Sequence, residues 1–268
     1  MTISYYLLGC RGDRFDLCDP VSPIRLVDDP DGLEGAPHDP AYQENVNQGG
    51  SYYKGQQDKP NDISLRLRIG GHDYPGDADD LHTAVTAWRR NIGAGPQVSE
   101  LHVVDDVIGT DRWQWVRYNG RDNGIPRARL AAFGFSGVFT MTLTSDSSWW
   151  NSDPVELDAL TETSVHNSGW FAAWPQWEIT GPTTGLKIGL GGEQITLADL
   201  ASGQSYRIDT DPTCPLIHRD GVDAWAAAAG RQSFRTPAAP EADTAVTVTG
   251  SAATVTLVLP QQYGAAFG

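Results

Sequence analysis

The sequence predicts a mainly β, α+β chain of two domains: a β-rich N-terminal domain with one helix and loop arms, then a C-terminal β-sandwich. Three observations carry this reading. Short apolar–polar alternations recur between Gly, Pro, Asn and Asp turns, the period-two mark of strands. Only one segment has a helical apolar stripe, and it ends at Trp88. The composition then shifts across Ser145-Asp146-Ser147-Ser148-Trp149-Trp150-Asn151-Ser152-Asp153-Pro154. We place the domains at 1–160 and 161–268. Twenty-nine Gly and 17 Pro in 268 residues favour turns over long helices. A chain of this length buries a sizeable core without disulfides or metals.

Each element follows in order. Residues 1–60 show few obvious elements. Asp28 to Pro37 and Asn47-Gln48-Gly49-Gly50 are turn-rich and read as long loops or arms. Ile63, Leu65, Leu67 and Ile69 alternate with Ser64, Arg66 and Arg68, a half-buried strand. A helix over Asp79–Asn91 follows. Asp77, Asp79 and Asp80 complement its dipole, and Leu81, Ala84, Val85 and Trp88 form its stripe. Arg89 and Arg90 fill its last turn, and Gly93 with Gly95-Pro96 ends it. Strands resume at Leu101–Val104. Trp113 and Trp115 share one face of the next strand, with Gln114 and Val116 on the other. Asn119-Gly120 reads as a type I′ hairpin turn. Phe139, Met141 and Leu143 alternate with threonines in the clearest strand of the first domain.

Beyond the boundary come strands at Leu186–Leu190, Gln194–Leu197 and Ser205–Asp209. His218-Arg219-Asp220-Gly221-Val222 reads as an Asp-Gly hairpin. The last pair is Ala245–Thr249 and Thr254–Leu259, joined across Gly250-Ser251, with Val246 and Val248 facing inward.

The net charge of −15 is concentrated early. Residues 1–165 carry 14 basic against 25 acidic side chains, and residues 166–268 carry five against nine. Binding duplex DNA needs Lys and Arg to displace counterions, so specific nucleic-acid binding is not expected. Cys10, Cys18 and Cys214 are odd in number and form no Cys-x-x-Cys, so they read as buried free thiols of a reducing compartment. The first ten residues lack a basic lead, so no signal peptide is expected. No apolar run approaches the ~20 residues of a membrane span.

No catalytic constellation emerges. His38, His72, His82, His102, His166 and His218 show no metal spacing. Gly134-Phe135-Ser136-Gly137 is followed by Val138 where a nucleophile elbow needs Gly. Gly189-Leu190-Gly191-Gly192 loses the phosphate pattern at Gln194 and precedes no helix. Asp29-Pro30-Asp31-Gly32 resembles part of a calcium loop, but Val27 occupies the first ligand position. We therefore expect no catalytic residues, no metal site, no cofactor and no enzymatic activity. A cell-wall hydrolase would need two carboxyl groups about 5–9 Å apart in a cleft, a spacing that sequence does not reveal. The tryptophans are the remaining lead. Trp149, Trp150, Trp170, Trp174 and Trp177 cluster in sequence around the junction. They suit inter-domain packing, a protein interface or a glycan platform.

One resemblance covers nearly the full length. Its better part runs from Trp174-Pro175 into Glu178-Ile179-Thr180-Gly181-Pro182, then Glu193-Gln194-Ile195-Thr196-Leu197. It continues through Ala201–Thr210 and Asp220-Gly221 to Pro260-Gln261-Gln262-Tyr263 and Gly268. Gly32-Leu33-Glu34-Gly35-Ala36-Pro37, the Ile63–Ile69 strand, the helix, Trp113–Tyr118 and Phe139–Ser145 follow in the expected order. The chain resembles the distal tail proteins (minor tail proteins) of long-tailed, non-contractile, siphovirus-type phages, in the style of actinobacteriophages. The resemblance implies a hexameric ring joining the tail tube to the tail tip or baseplate and its receptor-binding apparatus. The N-terminal domain would form the ring on the tube protein through a β-arm or belt within residues 30–60. The C-terminal domain would be a galectin-like sandwich. DNA and the tape-measure protein would pass through the lumen. The protein would reside in the virion, at the tail tip, after assembly in the host cytoplasm. An alternative is a carbohydrate-binding sandwich that attaches to cell-wall glycans.

Overall fold

A computed structural model describes residues 3–46, 49–71, 73–122 and 137–268. Met1-Thr2, Asn47-Gln48, His72 and 123–136 lie outside the described residues, and with them Gly134–Ser136 of the elbow-like motif. The chain divides into two compact units, Met1–Trp150 with Gly264–Gly268, and Asn151–Tyr263.

The first unit holds β1 (Ile3–Leu8), β2 (Arg14–Asp16), β3 (Ile24–Leu26), β4 (His38–Glu44) and β5 (Ser51–Asp58). It continues with β6 (Asn61–Ile69), α1 (Ala78–Asn91), β7 (Ser99–Asp105), β8 (Thr110–Asp122) and β9 (Gly137–Ser145). Seven strands pair antiparallel in the order β2-β1-β7-β8-β9-β6-β3. The sheet curls until its ends meet: Leu26 N–H donates to the Leu17 carbonyl at 2.8 Å, and Leu17 N–H to that of Tyr5 at 2.9 Å. Leu7, Leu65, Leu67, Leu101 and Phe139 point inward from alternate positions and are buried.

Helix α1 starts where its carboxylates predict. Asp77 accepts from the backbone N–H of Asp79 and Asp80 at 2.9 and 3.0 Å, and Asp80 returns the bond to Asp77 N–H at 3.1 Å. Leu81, Val85, Trp88 and Asn91 form its buried face. Trp88 meets Phe15 edge-on, with ring centres 5.2 Å apart. Asn91 bonds Asp13 at 2.7 Å, tying the helix end to the loop after β1.

A polar strip also runs inside this unit. Arg112, Gln114 and Val116 of β8 alternate inward and are buried, whereas Trp113 and Trp115 face out. Asn61 donates to Gln114 at 3.2 Å and to the Gly32 carbonyl at 2.9 Å. Arg112 donates to the main-chain oxygen of Ala265 at 3.0 Å and also to that of Gly268. Ala266 N–H completes the attachment on the Leu33 carbonyl at 2.8 Å. Gly32 is required here: its φ is +90°, and a Cβ would lie 2.4 Å from the Asp62 carbonyl.

The second unit contains β10 (Trp150–Asp158), β11 (Ser164–Asn167), β12 (Gln176–Thr180), β13 (Thr184–Leu190) and β14 (Ile195–Thr196). It ends with β15 (Ser205–Asp209), β16 (Leu216–Arg219), β17 (Val222–Asp223), α2 (Trp225–Ala228), β18 (Ala242–Ser251) and β19 (Thr254–Tyr263). Two sheets, β17-β16-β15-β12-β19-β10 and β11-β18-β13-β14, enclose one core. Trp177, Ile208 and Leu257 of the first sheet meet Ile188, Val165 and Val246 of the second. This is a β-sandwich.

Three expectations change. Asn119-Gly120 is not a hairpin turn. β8 continues to Asp122, and the residues between Tyr118 and Asp122 bulge against β9, with Gly120 at φ +81°. The last two strands do not pair. β18 joins β11 and β13 whereas β19 joins β12, so Ala252-Ala253 carries the chain between sheets. Residues 38–58 form a paired hairpin where composition alone read long loops or arms. The Asp-Gly hairpin appears as predicted, with Asp220 and Gly221 at φ 52° and 81° between β16 and β17.

Two predictions follow from this packing. Asp77→Ala removes the helix cap and lowers stability by about 1 kcal/mol in urea unfolding. Arg112→Met keeps the side-chain bulk but loses both main-chain bonds, so hydrogen exchange of the Ala266 amide accelerates about tenfold or more.

Candidate assembly surfaces

The β4–β5 hairpin is the longest exposed pair of strands among the described residues. Its strands pair from His38–Asp58 to Glu44–Ser51 and form a sheet of their own. Every β4 residue is exposed, and in β5 only Gly55 and Asp58 are half-buried. Polar and aromatic residues occupy both faces, so neither face drives burial. The root is held by Lys59, whose N–H donates to the Pro37 carbonyl at 2.8 Å and whose ammonium pairs with Asp39 at 2.5 Å. A lone two-stranded hairpin is marginally stable in water. This one nonetheless presents Tyr42, Tyr52 and Tyr53, each more than half exposed, and Val46 at 92%. Tyr42 and Tyr53 pack edge to face across the strands at 6.1 Å. Its open edges and apolar tips are the features of a segment that a second chain completes.

A second surface lies on the outer face of β2-β1-β7-β8. Register places Tyr6 opposite His102, and His102 opposite Trp113. The Tyr6 and His102 rings stack at 4.2 Å, and the Arg14 guanidinium covers the other side of Tyr6 at 3.7 Å. Trp113 and Trp115 meet edge-on at 4.8 Å. Tyr6 hydroxyl donates to Asp111 at 2.9 Å, and His102 Nδ1 lies 2.8 Å from the same carboxylate. Trp115 remains 46% exposed at the end of this aromatic row. The inner face of the same strands holds Tyr5, whose hydroxyl bonds Asp29 at 3.4 Å.

The tryptophans singled out from sequence divide by burial. In the first unit Trp150 is buried and Trp149 half-buried. In the second, Trp177 is buried, Trp174 half-buried and Trp170 40% exposed, with its ring 6.1 Å from Tyr263. The indole N–H groups of Trp150 and Trp177 have no hydrogen-bond partner among the described residues, so both act as apolar filling. Fully buried indoles offer no face to a sugar ring. Sequence reasoning missed the arm tyrosines and the Tyr6–His102–Trp113 row. Only Trp113 and Trp115 at alternate positions signalled the latter.

The remaining candidates are dispersed. His38 lies on the arm, His82 on the exposed side of α1, and His166 pairs with Asp243 at 2.9 Å. Among the described residues no group of three or more His, Cys, Asp or Glu could hold a metal ion. Asp28, just before the calcium-like fragment, pairs with Arg66 at 2.6 Å. The cysteines are free, but Cys18 and Cys214 are exposed and Cys10 is half-buried, which corrects the expectation of buried thiols. Cys18 follows the inward-facing Leu17 and alternation turns it outward. No described helix is long and apolar enough to cross a membrane.

No protein-family model and no curated protein matches this sequence. Solved structures do. The crystal structure of the Dit (gp 19.1) protein of phage SPP1, described as a paradigm of the hub adsorption apparatus in phages infecting Gram-positive hosts, matches with a TM-score of 0.68. The match covers 98% of this chain and 99% of that one at 13% identity. A chain of the phage P2 baseplate, in its activated conformation with calcium, matches at TM-score 0.59 and 8% identity, covering 97% and 98%. The strontium form of that baseplate matches at 0.59 and 7%, with the same coverage. The chain therefore has the β-rich fold of phage hub and baseplate proteins along its whole length.

Burial and the neighbouring Asp29 push the Tyr5 phenol well above the ordinary tyrosine value, and burial and Asp111 do the same for Tyr6. The folded chain keeps these protons where the unfolded chain sheds them. Their contribution to stability is thus complete below about pH 10 and is lost as pH rises further. Tyr5→Phe and Tyr6→Phe should each flatten the alkaline fall of the unfolding midpoint, measured by urea titration at rising pH.

Proposed function

We propose that the chain is a distal tail protein of a long-tailed phage, a structural component of the virion tail tip. The whole-length match to the SPP1 Dit protein carries this reading, since it spans both units in one chain. In this reading the first unit forms a hexameric ring on the last ring of the tail-tube protein. The β4–β5 arm is its belt and lies against the neighbouring copy, where its three tyrosines find the burial they lack in one chain. The second unit, a galectin-like sandwich, projects from the ring toward tail-tip and receptor-binding proteins. DNA and the tape-measure protein pass through the lumen, and the net charge of −15 suits a passage that must not retain DNA. Assembly takes place in the host cytoplasm, as three free cysteines allow. The role is structural, and no catalytic step is assigned to it.

Negative-stain microscopy of the purified chain, alone and with its tube protein, tests this directly. Six-fold rings are expected. Replacing 38–58 by a short Gly-Ser link should abolish rings and leave a folded monomer with unchanged far-UV circular dichroism outside the lost hairpin. A chain that stays monomeric alone and with the tube protein refutes the reading.

A further inference from the structure

The second unit carries a row of polar and charged side chains, three of which its fold leaves without partners. Antiparallel register sets Glu178 of β12 opposite Arg207 of β15, Arg207 opposite His218 of β16, and His218 opposite Asp223 of β17. Their inward neighbours Trp177, Ile179, Tyr206, Ile208 and Ile217 are buried in the sandwich, so the row stands on its outer face. Side chains directly opposite one another in a sheet stand about 5 Å apart, well within reach of a salt bridge. Yet the side chains of Glu178, Arg207 and His218 form no hydrogen bond or ion pair among the described residues. They border an open cleft of about 390 Å³, closed at one end by the Asp220-Gly221 turn. Asp220 is committed, accepting from Ser205 N–H at 2.8 Å. A second recess beyond His218 is walled by Trp225 of α2, which is half-buried against the core.

The chemistry of the row selects its ligand. Glu178 and Asp220 set two carboxylates against Arg207 and the His218 imidazole, a balance that disfavours phosphate and is too small to select a polycation. A sugar hydroxyl donates and accepts at once, so it bonds Glu178 and Arg207 together. The spacing of neighbouring strands matches the breadth of one pyranose ring. The hydroxyls of Thr180 and Ser205, one step along β12 and β15, extend the polar floor, and Trp225 lines the next recess, past His218 and outside the cleft. The volume lies near the lower end of ligand pockets, about 300–1,000 Å³.

We propose that the Glu178–Arg207–His218 row is a binding site for a neutral saccharide, of a size between one and two rings. The proposal does not depend on the ring assembly. In an oligomer, however, a weak single site would act through avidity. The site is separate from the tryptophan platform that sequence suggested, since it uses none of those five residues.

The full chain, labelled with nitrogen-15, would be titrated to high millimolar concentration with methyl α-glucoside, methyl β-galactoside and N-acetylglucosamine. Inorganic phosphate and glycine serve as controls for an anion or zwitterion site. Saturable shifts in the amides of β12, β15 and β16 with at least one sugar are expected. Glu178→Ala and Arg207→Ala should weaken that binding about tenfold or more, the loss of a charge-assisted hydrogen bond. Lys187→Ala, on the exposed face of the other sheet, should leave it unchanged. If an alanine variant loses its dispersed spectrum, Glu178→Gln and Arg207→Lys keep the shape and decide the point. No shift with any sugar, shifts confined to other strands, binding that survives these substitutions, or a response to phosphate or glycine alone would each overturn the proposal.

Discussion

A cation buried inside a β-sheet domain is the constraint on which the first unit turns. Arg112 is 3% exposed and lies on the inward side of β8. A buried guanidinium without acceptors costs several kcal/mol, so the fold must bring oxygen atoms to it. It brings main-chain oxygens of Ala265 and Gly268, residues more than 150 positions away in sequence. Those residues are in turn seated by the Leu33 carbonyl. The 32–35 segment is then caught between β6 and the returning chain, which leaves Gly32 no room for a side chain. Asn61 and Gln114 continue the same polar strip. One charge thus orders the segment from Gly32 to Gly35, the inner face of β8 and the last residues of the chain.

The rest of the molecule separates into surfaces that satisfy themselves and surfaces that do not. The sandwich encloses its core with two sheets and needs no partner for it. The Tyr6–His102–Asp111 network bonds its polar groups to one another while leaving Trp115 on view. The arm buries almost nothing. The polar row on the sandwich has charges but no bonds between its side chains. These differences decide where assembly or binding has something to gain: contacts already made in one chain contribute nothing new when a second molecule arrives.

Legibility from sequence followed the same division. Ile63–Ile69, Phe139–Leu143 and α1 were readable because one face is apolar and the other is not. β1 was missed because Tyr6 and Leu8 on its outer face are as large as Tyr5 and Leu7 within, which erases the alternation. β8 inverted the rule, with Arg112 and Gln114 inside and two tryptophans outside. The arm has no buried face, hence no period, and its Gly and Asn content reads as loop. Asn119-Gly120 carried the local chemistry of a turn, but pairing with β9 on either side stretched it into a bulge. The saccharide row was out of reach for a different reason. Glu178, Arg207 and His218 become neighbours only through the register of three strands, and no local pattern encodes that register.

The return of Gly264–Gly268 to the first unit makes that unit discontinuous in the chain, with the whole sandwich inserted before its last piece. During translation the ribosome delivers the N-terminal strands first, but the acceptors for Arg112 emerge only after the whole sandwich. Until then Arg112 lacks its two main-chain acceptors and the Gly32–Gly35 segment is unlatched. A chain without Gly264–Gly268 keeps that segment unlatched, so the first unit closes only once the sandwich between its two pieces has been made.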